Sequence, residues 1–294
     1  MNKLILSAMA RAKRLYPVQL IGVTVQANHA HMLIRVIDPE AVSGFVGYFK
    51  TETSNYLNRL LNRRQRTVWF KRFDNPRVLD IDKAFEILAY ILLNPVKDGL
   101  VSSMREYPGV SSYQHLVNRR DSLIVKSIPR SAIVALRDPS RPILENKELS
   151  DHFSSDEFED LSLTFEPEAL RLAFKSTRSM APDDFRRKLI ETLETAETHY
   201  RQSQDNRRPL GAKALVNASI LVPHTPPKRG KKMLCVSSSP NMRKRFIGTF
   251  RRLCERCRQV FIEWKCGNFS VPFPPGMFAP HFPRLANSLP LATL

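Results

Sequence analysis

No stretch of the sequence reaches the roughly 18 consecutive apolar residues that a membrane-spanning helix requires. Cysteine is scarce as well. The four in 294 residues all lie beyond residue 234, too few and too crowded for a disulfide framework, so a reducing compartment and a cytoplasmic protein are expected. The opening MNKLILSAMARAKRLYP holds a short apolar patch, but Arg11, Lys13 and Arg14 stand where a small-residue cleavage site would follow. It reads as an amphipathic helix rather than a signal peptide. Acidic residues are in short supply too, 28 against 46 basic, which leaves a net charge of +18 at neutral pH.

Such an excess points to a polyanionic partner. Counterion release favours nucleic acid, and with no clear anchor in the chain a membrane surface fits the charge less well. The excess is uneven: residues 1–118 carry +7, 119–200 carry −3 and 201–267 carry +13. Composition divides the chain in the same way. Residues 1–118 read as a folded domain, 119–181 as an acidic, Ser- and Pro-containing linker with accessory helices, and 182–267 as a basic helical extension. Residues 268–294, with six prolines, read as an extended tail. No internal repeat is present.

Within the first segment the periodicity predicts a helix over 2–16, capped by Asn2, then strands over 18–26 and 32–36 joined as a hairpin. Asp38-Pro39 opens a second helix, whose buried stripe is Val42, Phe45, Phe49, Tyr56 and Leu60. A short strand near 77–79 and a helix capped by Asp82 follow, and Pro95 is expected to end that helix. The order helix, strand, strand, helix, strand, helix predicts an α+β sandwich. Two further helices are expected, from Pro182 to about Ser203 and from Asn241 to Trp264.

His29 and His31 stand one residue apart at the front of an apolar strand. Alternation puts both imidazoles on one face, opposite Ala30, Met32, Ile34 and Val36. Two readings follow from the pair alone, metal ligands or ordinary structural and surface histidines. On the third helix, Ile81, Phe85, Leu88 and Leu92 form the buried stripe. Lys83, Glu86, Tyr90 and Asn94 share the other side within about 80°, joined by Lys97 if the helix survives Pro95. This face reads either as chemistry or as a solvated surface with a half-buried tyrosine.

The stretches NHAHMLI, AYILLNPVKDGLV and REYPGVSSY, in that order, resemble the single-tyrosine HUH transposases of bacterial insertion sequences, especially the REP-associated tyrosine transposases. The resemblance covers about residues 4–116 and extends more loosely to GAKAL and the basic last helix. It implies a ferredoxin-like sandwich with an antiparallel sheet, His29 and His31 as the paired metal ligands, Asn94 as the third and Tyr90 as the nucleophile. It further implies Mg²⁺ or Mn²⁺, single-stranded or hairpin DNA as partner, and a monomer or homodimer. Family members have a strand ahead of the first helix; this sequence starts almost at that helix, which would leave a sheet edge exposed.

In this chemistry a divalent ion offsets the charge of the scissile phosphate, Tyr90 attacks, and Glu86 is placed to assist loss of the phenol proton. Tyr48, Tyr56, Tyr107 and Tyr113 compete for the role but lack the neighbours of Tyr90. Arg63, Arg64, Arg66, Lys71 and Arg72 surround Trp69, a mixture of charge and ring that suits a single strand or, equally, an exposed loop around a buried tryptophan. Arg35 and Lys97 complete the expected DNA contacts. The arginines of the last helix are expected to grip flanking DNA. A zinc site from Cys235, Cys254, Cys257 and Cys266 is disfavoured by its spacing and by the position of Cys257 in an apolar stripe. The alternative function is a catalytically silent DNA-binding protein derived from such an enzyme.

Overall fold

The computed structural model describes residues 1–62, 68–69, 73–127, 158–203, 208–218 and 232–283. They fall into two compact units, Met1–Asp74 with Asp80–Lys231, and Asn75–Leu79 with Lys232–Leu294. Among the described residues no helix is long and apolar enough to cross a membrane.

The first unit begins with helix α1 (Asn2–Leu15), which buries Leu4, Ala8, Met9 and Ala12 at helical spacing. Asn2 does not cap it, as the sequence had suggested: Met1 holds the cap position, and Asn2 Nδ2 is drawn away to donate to Pro108 O at 2.7 Å. Strands β1 (Gln19–Val25) and β2 (Ala30–Arg35) form the expected antiparallel hairpin. An irregularity between Leu20 and Gly22 shifts the register, so that Leu20, Val23 and Val25 share one face while Gly22 and Thr24 share the other. Ala30, Met32, Ile34 and Val36 pack on the first face against the core built with α1 and α2 (Pro39–Leu60). Asp38 caps α2 through Glu40 N at 2.9 Å, and Pro39 takes the first turn.

The short strand β3 (Arg77–Val78) belongs to the second unit and not, as expected, to the sandwich. Helix α3 (Ile81–Lys97) covers the opposite face of the hairpin. Its cap is Asp80, which accepts from Lys83 N at 2.8 Å, rather than Asp82. The helix also passes through Pro95 instead of ending before it. Pro95 stands in the last turn and forfeits one helical bond, its own to the Ile91 carbonyl, while Asp98, Gly99 and Leu100 donate to the carbonyls of Asn94, Val96 and Pro95. Gly99 supplies the left-handed φ of 68° that this ending needs. Gly22 lets α3 approach the sheet closely, because a Cβ there would sit 2.1 Å from Leu88 Cδ1.

Strand β4 (Val110–Ser111) pairs with β1, giving the antiparallel order β2-β1-β4, and helix α4 (Tyr113–Val117) follows. Beyond residue 118, β5 (Ser122–Ser127) and β6 (Glu159–Thr164) form a separate antiparallel ladder on α1. Arg11, buried in α1, donates to Tyr56 OH and lies 3.8 Å from Glu52 and 3.4 Å from Glu159, which ties α1, α2 and β6 together. Helices α5 (Glu168–Ala173), α6 (Lys175–Arg178), α7 (Pro182–Ser203) and α8 (Ala212–Asn217) complete the unit. The α7 helix braces α3: Phe185 meets Phe85 at 5.7 Å, and Tyr200 OH donates to Lys97 O at 3.1 Å. The unit is therefore an α+β structure with an antiparallel sheet.

In the second unit β3 pairs in parallel with β7 (Cys235–Val236), and helix α9 (Pro240–Lys265) follows, capped by Ser239.

Candidate active site

The β1–β2 hairpin and the last turns of α3 position the site. His29 and His31 project from the β2 face that α3 covers, and their ring centroids lie 4.8 Å apart. The ring of Tyr90 stands edge-on to His31 at 5.4 Å, and Lys97 Nζ sits 4.3 Å from the centre of the Tyr90 ring. The lysine reaches that ring because α3 continues through Pro95 for one more turn. Four side chains that the sequence grouped by two different periodicities thus form one continuous array.

His29 Nδ1 lies 2.6 Å from Asn28 Oδ1, a hydrogen bond that orients the ring. Burial first, and the neighbouring His29 second, lower the His31 pKa against the opposing Asp98 carboxylate, to about 4 in all. At neutral pH His31 is therefore an uncharged imidazole, the form that coordinates metals. Asn94, one turn beyond Tyr90, is 4% exposed, and its Nδ2 has no hydrogen-bond partner. A rotation of the carboxamide would present its oxygen at the same place. The uncharged imidazole of His31, the imidazole of its neighbour His29 and the carboxamide of Asn94 are nitrogen and oxygen donors of the types that bind divalent ions. Among the described residues no group of three or more His, Cys, Asp or Glu side chains gathers to hold a metal, and this covers the four cysteines.

The tyrosines separate sharply. Tyr90 is 47% exposed. Tyr56 is buried with its hydroxyl accepting from Arg11, and burial pushes its pKa up to about 12. Tyr107 donates to Val25 O at 2.7 Å and is likewise pushed up to about 12 by burial and by Asp98. Tyr113 is buried, with its pKa raised by that burial. Tyr48 is half-buried against Tyr16.

Other expected site residues stand apart. Glu86 is exposed and pairs with Lys83. Arg35 lies at the far end of β2 and donates to Gln19 Oε1 at 2.7 Å. Trp69 turns inward, its indole N–H on Thr53 Oγ1 at 2.7 Å and its ring 5.8 Å from Phe49, so it is committed to packing. Arg63, Arg64, Arg66, Lys71 and Arg72 lie outside the described residues.

Sequence reasoning missed three residues here. Asp98, at the end of α3, acts electrostatically on both His31 and Tyr107. Thr24, the cross-strand partner of His31, and Gln26 are buried on or beside the histidine face, with Thr24 Oγ1 and Gln26 Nε2 unpartnered. Their signal was available in the alternation of β1, which the irregularity at Ile21 reverses.

The family described as IS200-like transposase matches residues 1–91. No curated protein and no solved structure matches the chain.

Proposed function

We propose, from the IS200-like transposase family to which residues 1–91 belong, that this chain cleaves and rejoins single-stranded DNA through a 5′-phosphotyrosine link on Tyr90. The observation that carries the reading is the array of His29, His31, Tyr90 and Lys97, with contacts of 4.8, 5.4 and 4.3 Å. The ferredoxin-like arrangement belongs to the same reading and is supported by helices on both faces of an antiparallel sheet.

Tyr90 Oη attacks the scissile phosphorus, its proton passing to Glu86 or to solvent water. The bond from phosphorus to O3′ breaks, the upstream strand leaves with a 3′-OH, and the downstream strand stays on the tyrosine. Attack by another 3′-OH on that phosphotyrosine restores the diester and frees Tyr90, with no outside energy source. Lys97, over the Tyr90 ring, faces the approaching phosphate with positive charge. His29, His31 and Asn94 would hold a Mg²⁺ or Mn²⁺ ion, which would supply positive charge against the scissile phosphate. Asn28 orients the His29 ring through its hydrogen bond, and burial keeps His31 uncharged against the pull of Asp98. Glu86 takes part only when it releases Lys83.

The test is incubation of the whole chain with Mn²⁺ and labelled single-stranded DNA containing a hairpin, followed by denaturing electrophoresis. The expected result is a protein-linked label that disappears in Tyr90→Phe while the DNA still binds. Label-free protein in the wild type under every divalent ion tried would identify the chain as a DNA-binding relative without cleavage. Cleavage that persists in Tyr90→Phe would assign the attack to water.

A further inference from the structure

The second unit carries two features that the chemistry at Tyr90 does not use. Helix α9, 26 residues and about 39 Å long, holds eight basic and two acidic side chains. At about 100° per residue, Lys244, Arg245, Arg251, Arg252 and Arg256 occupy one arc of about 140°, opposite the stripe of Phe246, Phe250, Leu253 and Trp264. All five of these cations are exposed. Among the described residues the helix has one ion pair of its own, Arg258 with Glu255 at 2.9 Å. The arc therefore keeps its charge for something outside the unit.

At the C-terminal end of the helix, buried Trp264 donates its indole N–H to Val271 O at 2.9 Å and fixes an aromatic cluster. Phe273 and Phe282 lie 5.5 and 4.8 Å from its ring, and Phe269 stands edge-on to Phe282 at 5.0 Å. Phe269 and Phe282 are nevertheless 41% and 67% exposed. Rings held in place with open surface, at the end of a helix that carries unpaired cations along its length, match the two requirements of a single strand, backbone charge and base stacking. A duplex hides its bases and would use the cations alone.

We infer that the second unit is a separate site for single-stranded DNA, with phosphates along the basic arc of α9 and bases stacked on Phe269 and Phe282. That the strand is DNA rather than RNA rests on the transposase reading; recognition of an unpaired strand does not.

The experiment measures binding of fluorescent oligothymidylate to the whole chain in EDTA, where no strand transfer competes. The double variant Phe269→Ala, Phe282→Ala weakens binding about ten-fold or more. An abasic oligonucleotide of equal length binds the wild type about ten-fold more weakly than oligothymidylate, and that gap closes in the double variant. Arg245→Glu with Arg256→Glu lowers the salt slope by about one. All three readings are taken in EDTA, where no adduct forms, so a failed adduct assay and a failed second site are told apart. Equal binding of abasic and base-bearing strands to the wild type overturns the proposal, and so does equal competition by a duplex. If the arginine variant loses only binding to phosphatidylserine vesicles, the face is a membrane surface and the proposal is wrong.

Discussion

At the scale of single residues, the same side-chain type is put to different uses by burial. Tyr56 and Tyr107 are pushed up to about 12 while Tyr90 stands half-exposed at the histidines. A phenol whose pKa is raised on folding contributes stability that is complete below its ordinary value of 10 and is lost as pH rises toward about 12. Denaturant unfolding between those values will therefore show falling stability, and the fall will be smaller in Tyr107→Phe. Phenolate absorbance during the same titration will show Tyr56, Tyr107 and Tyr113 ionising late. Asn28 makes a second prediction at this scale. Its hydrogen bond orients the His29 ring, so Asn28→Ala will raise the Mn²⁺ concentration needed for cleavage about 10- to 100-fold. Titration of adduct yield against Mn²⁺ checks this, and an unchanged midpoint would remove Asn28 from the site.

At the scale of elements, the site depends on how closely α3 lies on the hairpin. Gly22→Ala places a methyl group against Leu88 in a packed layer, and destabilisation of about 1–3 kcal/mol is expected by chemical denaturation. The same lift separates Tyr90 from His31, so adduct yield at saturating metal will fall further than Tm alone predicts. The hairpin, the cap at Asp38 and the opposite faces of His31 and Met32 were legible in the sequence because each rests on local chemistry. The end of α3 was not. Proline is a sound stop signal inside a helix, but Pro95 occupies the last turn, and the carbonyl bonds made by Asp98, Gly99 and Leu100 appear only once that turn is built. Lys97 reaches the Tyr90 ring through that extra turn. The role of Trp69 was also undecidable from sequence, because the hydroxyl that receives its N–H lies on another element, at Thr53. Between residues 119 and 181 the strands β5 and β6 went unread, since their partner face is α1, more than a hundred residues earlier in the chain.

At the scale of the whole molecule, charge dominates. A chain at +18 will bind single-stranded DNA with strong dependence on salt. If six to ten phosphates are engaged, affinity falls on the order of 10³-fold between about 50 and 200 mM monovalent salt. Anisotropy titrations at several salt concentrations measure the slope, and a flat response would show that the cations do not meet phosphates. His29, His31 and Tyr90 lie in the first unit, while the most cationic helix lies in the second.

The β3–β7 pair imposes an order on synthesis. Arg77 and Val78 leave the ribosome early, yet their strand partner among the described residues, Cys235–Val236, emerges roughly 150 residues later, on the order of ten seconds at ordinary elongation rates. Throughout that interval the nascent chain carries an unmatched ribbon of backbone beside the start of α3. A message broken before codon 235 would release a product with that ribbon permanently bare, a ready target for proteolytic clearance.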